Sequence, residues 1–80
     1  MKFPERLNET RKKLGYTAQR MADIMDVSIR TYRNWESGHA SPNLEALVRI
    51  ADIFNVATDY LLCRDEFLAG RADESQRDLP

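Results

Sequence analysis

Arg30, Arg33 and Asn34 are the side chains in this 80-residue sequence with the clearest capacity for recognition chemistry. Their three- and four-residue spacings place them on one face of a helix. A guanidinium makes two parallel hydrogen bonds to guanine and a carboxamide does the same for adenine, so this face suits base edges in the major groove of DNA. Arg33 sits equally well for a phosphate. Residues 18–37, AQRMADIMDVSIRTYRNWES, supply the element that would hold the face. They read as two short amphipathic helices joined by a turn too tight for anything but a helix-turn-helix. Met21, Ala22, Ile24 and Met25 mark the apolar face of the first helix, and Val27 falls in the turn. Tyr32 and Trp35 mark the apolar face of the second helix. Ala22 is small where two steeply crossing helices need a small side chain.

The first of these helices has a second chemistry at its start. Free backbone N–H groups and the helix dipole favour a phosphate there. Thr17, Gln19 and Arg20 are the candidates for that contact. Ser28 precedes the second helix and either donates to a phosphate or caps the helix.

The remaining elements follow from caps and periodicity. Pro4 suits the first position of a helix, and Phe3, Leu7 and Leu14 share one of its faces until Gly15 supplies a left-handed stop. Thr17, Ser28 and Asn43 are N-caps. Leu44, Leu47, Ala51 and Phe54 give a fourth helix its apolar stripe, ended by Asn55. A fifth helix is expected from residue 58 to about residue 69, carrying Tyr60, Leu61, Phe67 and Leu68. The fold class is therefore all-α, with one compact five-helix domain over residues 1–69. A polar tail, expected to be disordered, follows over residues 70–80.

Composition narrows the function classes. The formal net charge is −1, but residues 1–38 carry eight basic against five acidic side chains, a net of +3. Residues 39–80 carry four basic against eight acidic side chains, a net of −4. The positive half contains the helix-turn-helix, which suits one face turned to phosphate. The low total implies weak non-specific DNA affinity. Cys63 is the only cysteine, which fits a reducing cytoplasm. The N-terminus has charges where a signal peptide needs an apolar run, and no segment is long and apolar enough for a membrane span. One Cys and one His lie far apart, and there is no Gly-rich phosphate loop, paired-acid motif or metal-ligand spacing. No enzyme activity, cofactor, metal or small-molecule ligand is expected. With no sensor domain read after residue 70, regulation is expected through dimer stability, a partner or degradation.

Residues 6–62 resemble the lambda-repressor-like DNA-binding domains (phage Cro and repressor type, XRE). The marks are Arg11, Gly15-x-Thr17, Ala22, Trp35-Glu36-x-Gly38, Pro42, Leu47, Ile50-Ala51 and Asp59-Tyr60-Leu61-Leu62. The resemblance implies a five-helix fold and a transcriptional regulator, of repressor type, that binds operator DNA as a dimer. It maps base reading onto Ile29, Arg30, Arg33 and Asn34. Ile29 either touches a thymine methyl or covers the core beside Val27. The resemblance also implies backbone contacts from Ser37 and His39, which flank the loop after the second helix, and a structural ion pair between Arg11 and Glu36. Trp35, Leu14, Met21, Leu47 and Ile50 are assigned to the core. Three positions depart from the family pattern. Ala18 stands where Gln is usual, Asp26 where Gly is usual, and Tyr32 where Ile or Val is usual. Tyr32 is expected to pack its ring while its hydroxyl reaches the edge.

One such module reads only about four or five base pairs, so useful specificity implies a homodimer on a palindromic site. Tyr60, Leu61, Leu62, Phe67 and Leu68 are the dimerisation candidates, although Tyr60 and Leu61 also suit closure of the core. The alternative function is a protein-interaction adaptor or antitoxin-type module on the same fold.

Overall fold

The computed structural model describes residues 2–64. They form α1 (Phe3–Lys13), α2 (Ala18–Met25), α3 (Ile29–Ser37), α4 (Leu44–Phe54) and α5 (Thr58–Leu61), with no strand among the described residues. Local chemistry sets the boundaries. The side-chain oxygens of Thr17, Ser28 and Asn43 accept the N–H groups of Arg20, Thr31 and Ala46 at 3.0, 3.0 and 2.8 Å. Each such cap stabilises its helix by about 1 kcal/mol. Helices α1, α2 and α4 end alike, on a left-handed residue: Gly15, Asp26 and Asn55, with φ of 86, 58 and 56°. The next residue's N–H then turns back to a carbonyl of the final turn, from Tyr16 to Arg11, Val27 to Ala22 and Val56 to Ala51, each at 3.0 Å. Asp26 thus fills the glycine position of the helix-turn-helix, in a conformation that Asp tolerates better than most residues.

The core lies where these helices converge. Leu7, Met21, Tyr32, Ile50 and Leu61 are fully buried, with Met25, Trp35, Leu47, Ala51 and Phe54 nearly so. Ala22 is also fully buried in the cluster, and its single methyl group lets α2 and α3 approach closely. Helix α3 packs on α1 as well as α2, so its orientation is set from two sides. Tyr16 meets Phe54 at 5.8 Å between ring centroids, and Tyr32 meets Trp35 edge-on at 5.9 Å.

Several expectations are corrected. Helix α1 begins at Phe3, so Pro4 is its second residue, still within the turn whose N–H groups have no intrahelical acceptor. Leu14 is 49% exposed and Leu44 is 80% exposed. Leu14 lies past the last turn of α1 and Leu44 opens α4. Apolar spacing shows which side a residue is on, but not whether a neighbouring helix reaches that far. Helix α5 ends at Leu61 and Cys63 takes a φ of 62°, which breaks the helical path expected to run to residue 69. Phe67, Leu68 and the tail lie outside the described residues. No helix among the described residues is long and apolar enough to cross a membrane.

Candidate nucleic-acid interface

Helix α3 is fastened by one flank and free on another. The fastening centres on Glu36. Arg11 Nε donates to Glu36 Oε2 at 2.7 Å, and Arg11 Nη2 to Oε1 at 3.2 Å, a two-pronged pair with both side chains only 11% exposed. Asn8 Nδ2 donates to Oε1 at 2.7 Å, and the Tyr32 hydroxyl donates to Oε2. Arg11 Nη1 also reaches the Tyr16 carbonyl at 2.8 Å, which joins the end of α1 to the same network. The ion pair implied by the resemblance is therefore the middle of a four-residue hub. Asn8 and the Tyr32 hydroxyl were not foreseen as members of it. Tyr32 is fully buried, so its hydroxyl ends on Glu36 and not at the molecular edge.

The electrostatics of the hub follow from this geometry. Burial by itself would raise the Glu36 carboxyl, but the bonds from Arg11, Tyr32 and Asn8 outweigh burial and hold it below the usual glutamate value. Burial, then the carboxylate acceptor, pushes the Tyr32 hydroxyl well above its usual value. The bond to Glu36 raises Arg11, against the opposing cost of burial.

The opposite flank carries Arg30 and Arg33, both exposed, which form no hydrogen bond or ion pair among the described residues. Asn34, one turn after Arg30, is half-buried, with a side-chain amide that likewise has no partner among the described residues. Ile29 is half-buried and packs on the core cluster beside Val27, so it serves the fold with at least part of its surface.

The candidate phosphate contacts divide. Arg20 is exposed, and its side chain has no partner among the described residues. The Thr17 hydroxyl oxygen caps α2, and Gln19 Nε2 donates to Asp23 Oδ1 at 2.9 Å along the same helix. Ala18 is half-buried against the core, so the helix start lacks the reaching amide usual there. Ser28 accepts from Thr31 N–H and donates its own proton to Thr31 Oγ1 at 3.0 Å, which leaves it no donor for phosphate. Ser37 closes α3 and His39 lies just beyond it, 2.7 Å apart between Oγ and Nδ1.

The dimerisation set changes. Leu61 is fully buried and closes the core, so it offers no surface to a second chain. Tyr60 is half-buried beneath Arg6, whose guanidinium lies 4.3 Å from the ring centroid while Nη1 donates to the Tyr60 carbonyl at 2.9 Å. Arg6 is itself only 6% exposed, so it ties α1 to α5 and adds nothing to the basic surface. Leu62 remains 42% exposed.

A helix-turn-helix family model matches residues 7–61. The HTH-type transcriptional regulator AnsR of Bacillus subtilis is 42% identical over 62 residues, covering 78% of this chain and 53% of that protein. The cryptic phage CTXphi transcriptional repressor RstR of Vibrio cholerae is 41% identical over 64 residues, 80% of this chain and 57% of that protein. The HTH-type transcriptional activator BcrR of Enterococcus faecalis is 33% identical over 79 residues, 99% of this chain and 39% of that protein. The chain spans about half the length of the curated relatives AnsR and RstR.

Proposed function

The chain belongs to the helix-turn-helix family, and from that premise we propose that it is a sequence-specific DNA-binding transcriptional regulator, a repressor that binds a palindromic operator as a homodimer. The observation that carries this reading is the free flank of α3, where Arg30, Arg33 and the Asn34 amide stand without partners among the described residues while Glu36 fixes the other side of the helix. Arg30 and Asn34 read base edges in the major groove, and Arg33 takes a base or the adjacent phosphate. Arg20 and the free N–H groups at the start of α2 hold the backbone. The similarity to the repressor RstR supports repression.

Dimerisation supplies the contact area that one module lacks. Leu44 and Val48, one turn apart on α4, are 80% and 49% exposed, and with Leu62 they offer apolar surface among the described residues. These three residues and Tyr60 form the proposed contact between copies. In-vitro selection of bound duplexes tests the reading. The expected product is an inverted repeat whose half-sites are about one helical turn apart, and recovery of unselected sequence overturns it.

A further inference from the structure

We propose that a cleft between the helix-turn-helix and α4 binds a small zwitterion with an apolar body, the chemistry of a free aliphatic amino acid. No small-molecule ligand is expected from the sequence, because the cleft exists only once α2, α3 and α4 are packed. It holds about 240 Å³, and its wall is apolar, formed by Met25, Val27, Trp35 and Ala46. An apolar cavity of about 150 Å³ already takes up benzene, so this volume admits a branched aliphatic side chain. Trp35 is only 6% exposed, yet its indole N–H has no hydrogen-bond partner among the described residues. Unlike the Thr10 hydroxyl, that N–H is not sealed from solvent, and the cleft is the open space that Trp35 lines. A nearly buried donor thus stands ready for an acceptor held in the cleft.

The rim carries one charge of each sign. Glu45 and Arg49 are exposed, one helical turn apart on α4, and both line the cleft. That spacing and order favour an ion pair along a helix. Arg49 is turned instead to α2, where Nη2 donates to the Ile24 carbonyl at 3.1 Å, and Glu45 has no partner among the described residues. The Ile24 bond fixes the guanidinium beside the cleft and leaves Nε and Nη1 open. A ligand carboxylate accepts from Arg49 and from the indole N–H of Trp35, while a ligand ammonium donates to Glu45. An anion alone meets repulsion from Glu45, and a cation alone meets repulsion from Arg49. A ligand with both charges close together satisfies both ends of the rim.

Trp35 is the only tryptophan, so its indole N–H gives a single signal in nitrogen–proton spectra of the whole chain. The probes are L-leucine, isocaproate, which lacks the ammonium, and isoamylamine, which lacks the carboxylate. Leucine is expected to shift the indole signal saturably, with a dissociation constant of about 1 mM for so few atoms. Each analogue is expected to bind about tenfold more weakly, as for the loss of one hydrogen bond to a charged group. Glu45→Gln should abolish the preference for leucine over isocaproate, and Arg49→Met the preference for leucine over isoamylamine. Urea unfolding checks that both variants are folded, and Glu45→Gln removes no bond among the described residues. The absence of a saturable shift with leucine, or equal affinity for all three probes, overturns the proposal. An unchanged preference in Glu45→Gln overturns it as well.

Discussion

The two flanks of α3 hold similar polar groups and use them in opposite ways. On the inner flank Arg11, Asn8 and the Tyr32 hydroxyl all converge on Glu36, and the guanidinium is further bonded to the Tyr16 carbonyl. On the outer flank Arg30, Arg33 and the Asn34 amide bond to nothing among the described residues. The contrast shows that the charge of a helix-turn-helix is not its binding charge. Arg6 and Arg11 count towards the +3 of residues 1–38, yet both are taken up by the fold. What faces outward is a smaller set that includes Arg20, Arg30 and Arg33. With so few cations available, a rigid presentation of each one matters more than their number.

The largest effect should come from breaking the inner flank. Glu36→Ala strands the partly buried Arg11 guanidinium and is expected to cost up to about 3 kcal/mol in urea unfolding. In a double-mutant cycle, Arg11→Ala and Glu36→Ala are expected to couple by more than about 1 kcal/mol, and additivity would remove the hub from the account. Next comes pH. A carboxyl held lower in the folded state than in the unfolded state stabilises the fold above the ordinary glutamate range. That contribution is lost as pH falls below this range through the folded value. The Tyr32 hydroxyl is held higher when folded, so its contribution is complete below the ordinary tyrosine value near 10 and is lost as pH rises past it. Chemical unfolding across pH should show both shoulders in the wild type, and Glu36→Gln should flatten the acid one.

The outer flank predicts the reverse pattern, with binding changed and stability kept. Arg33→Ala is expected to leave unfolding within about 0.5 kcal/mol of wild type. If Arg33 holds a phosphate, the variant loses affinity for all duplexes alike and the salt slope falls by about one. The smallest effect lies away from both flanks. The Thr10 hydroxyl is buried on α1 with no partner among the described residues. Thr10→Val keeps the shape, removes the stranded polar atom and should stabilise the fold by about 1 kcal/mol without changing DNA binding.

Most of the fold was legible in the sequence, because it is written in local chemistry. Thr17, Ser28 and Asn43 announce helix starts, and Gly15, Asp26 and Asn55 announce stops whose geometry needs nothing distant. The separation of Arg30, Arg33 and Asn34 from Tyr32 and Trp35 also follows from helical period alone. What was not legible depends on tertiary reach. Leu14 and Leu44 keep the apolar spacing but extend past the helices that would cover them. Leu61 reads as surface or core equally well until α1 and α5 are seen to meet. Asn8 joins Glu36 across 28 residues, which only the placement of α1 allows, whereas the Tyr32 hydroxyl reaches Glu36 across one turn of α3 itself. The role of Ser28 turns on where a single proton goes, which residue type alone does not decide.

The central claim is that the free flank of α3 reads bases while the hub only holds the helix. It is tested most directly by selecting duplexes with the wild-type chain and with Arg30→Ala, each shown by urea unfolding to be folded. The expected result is equal stability with lost preference at one guanine of each half-site, a discrimination of about 1–3 kcal/mol. Identical base preferences in the two selections would contradict the claim.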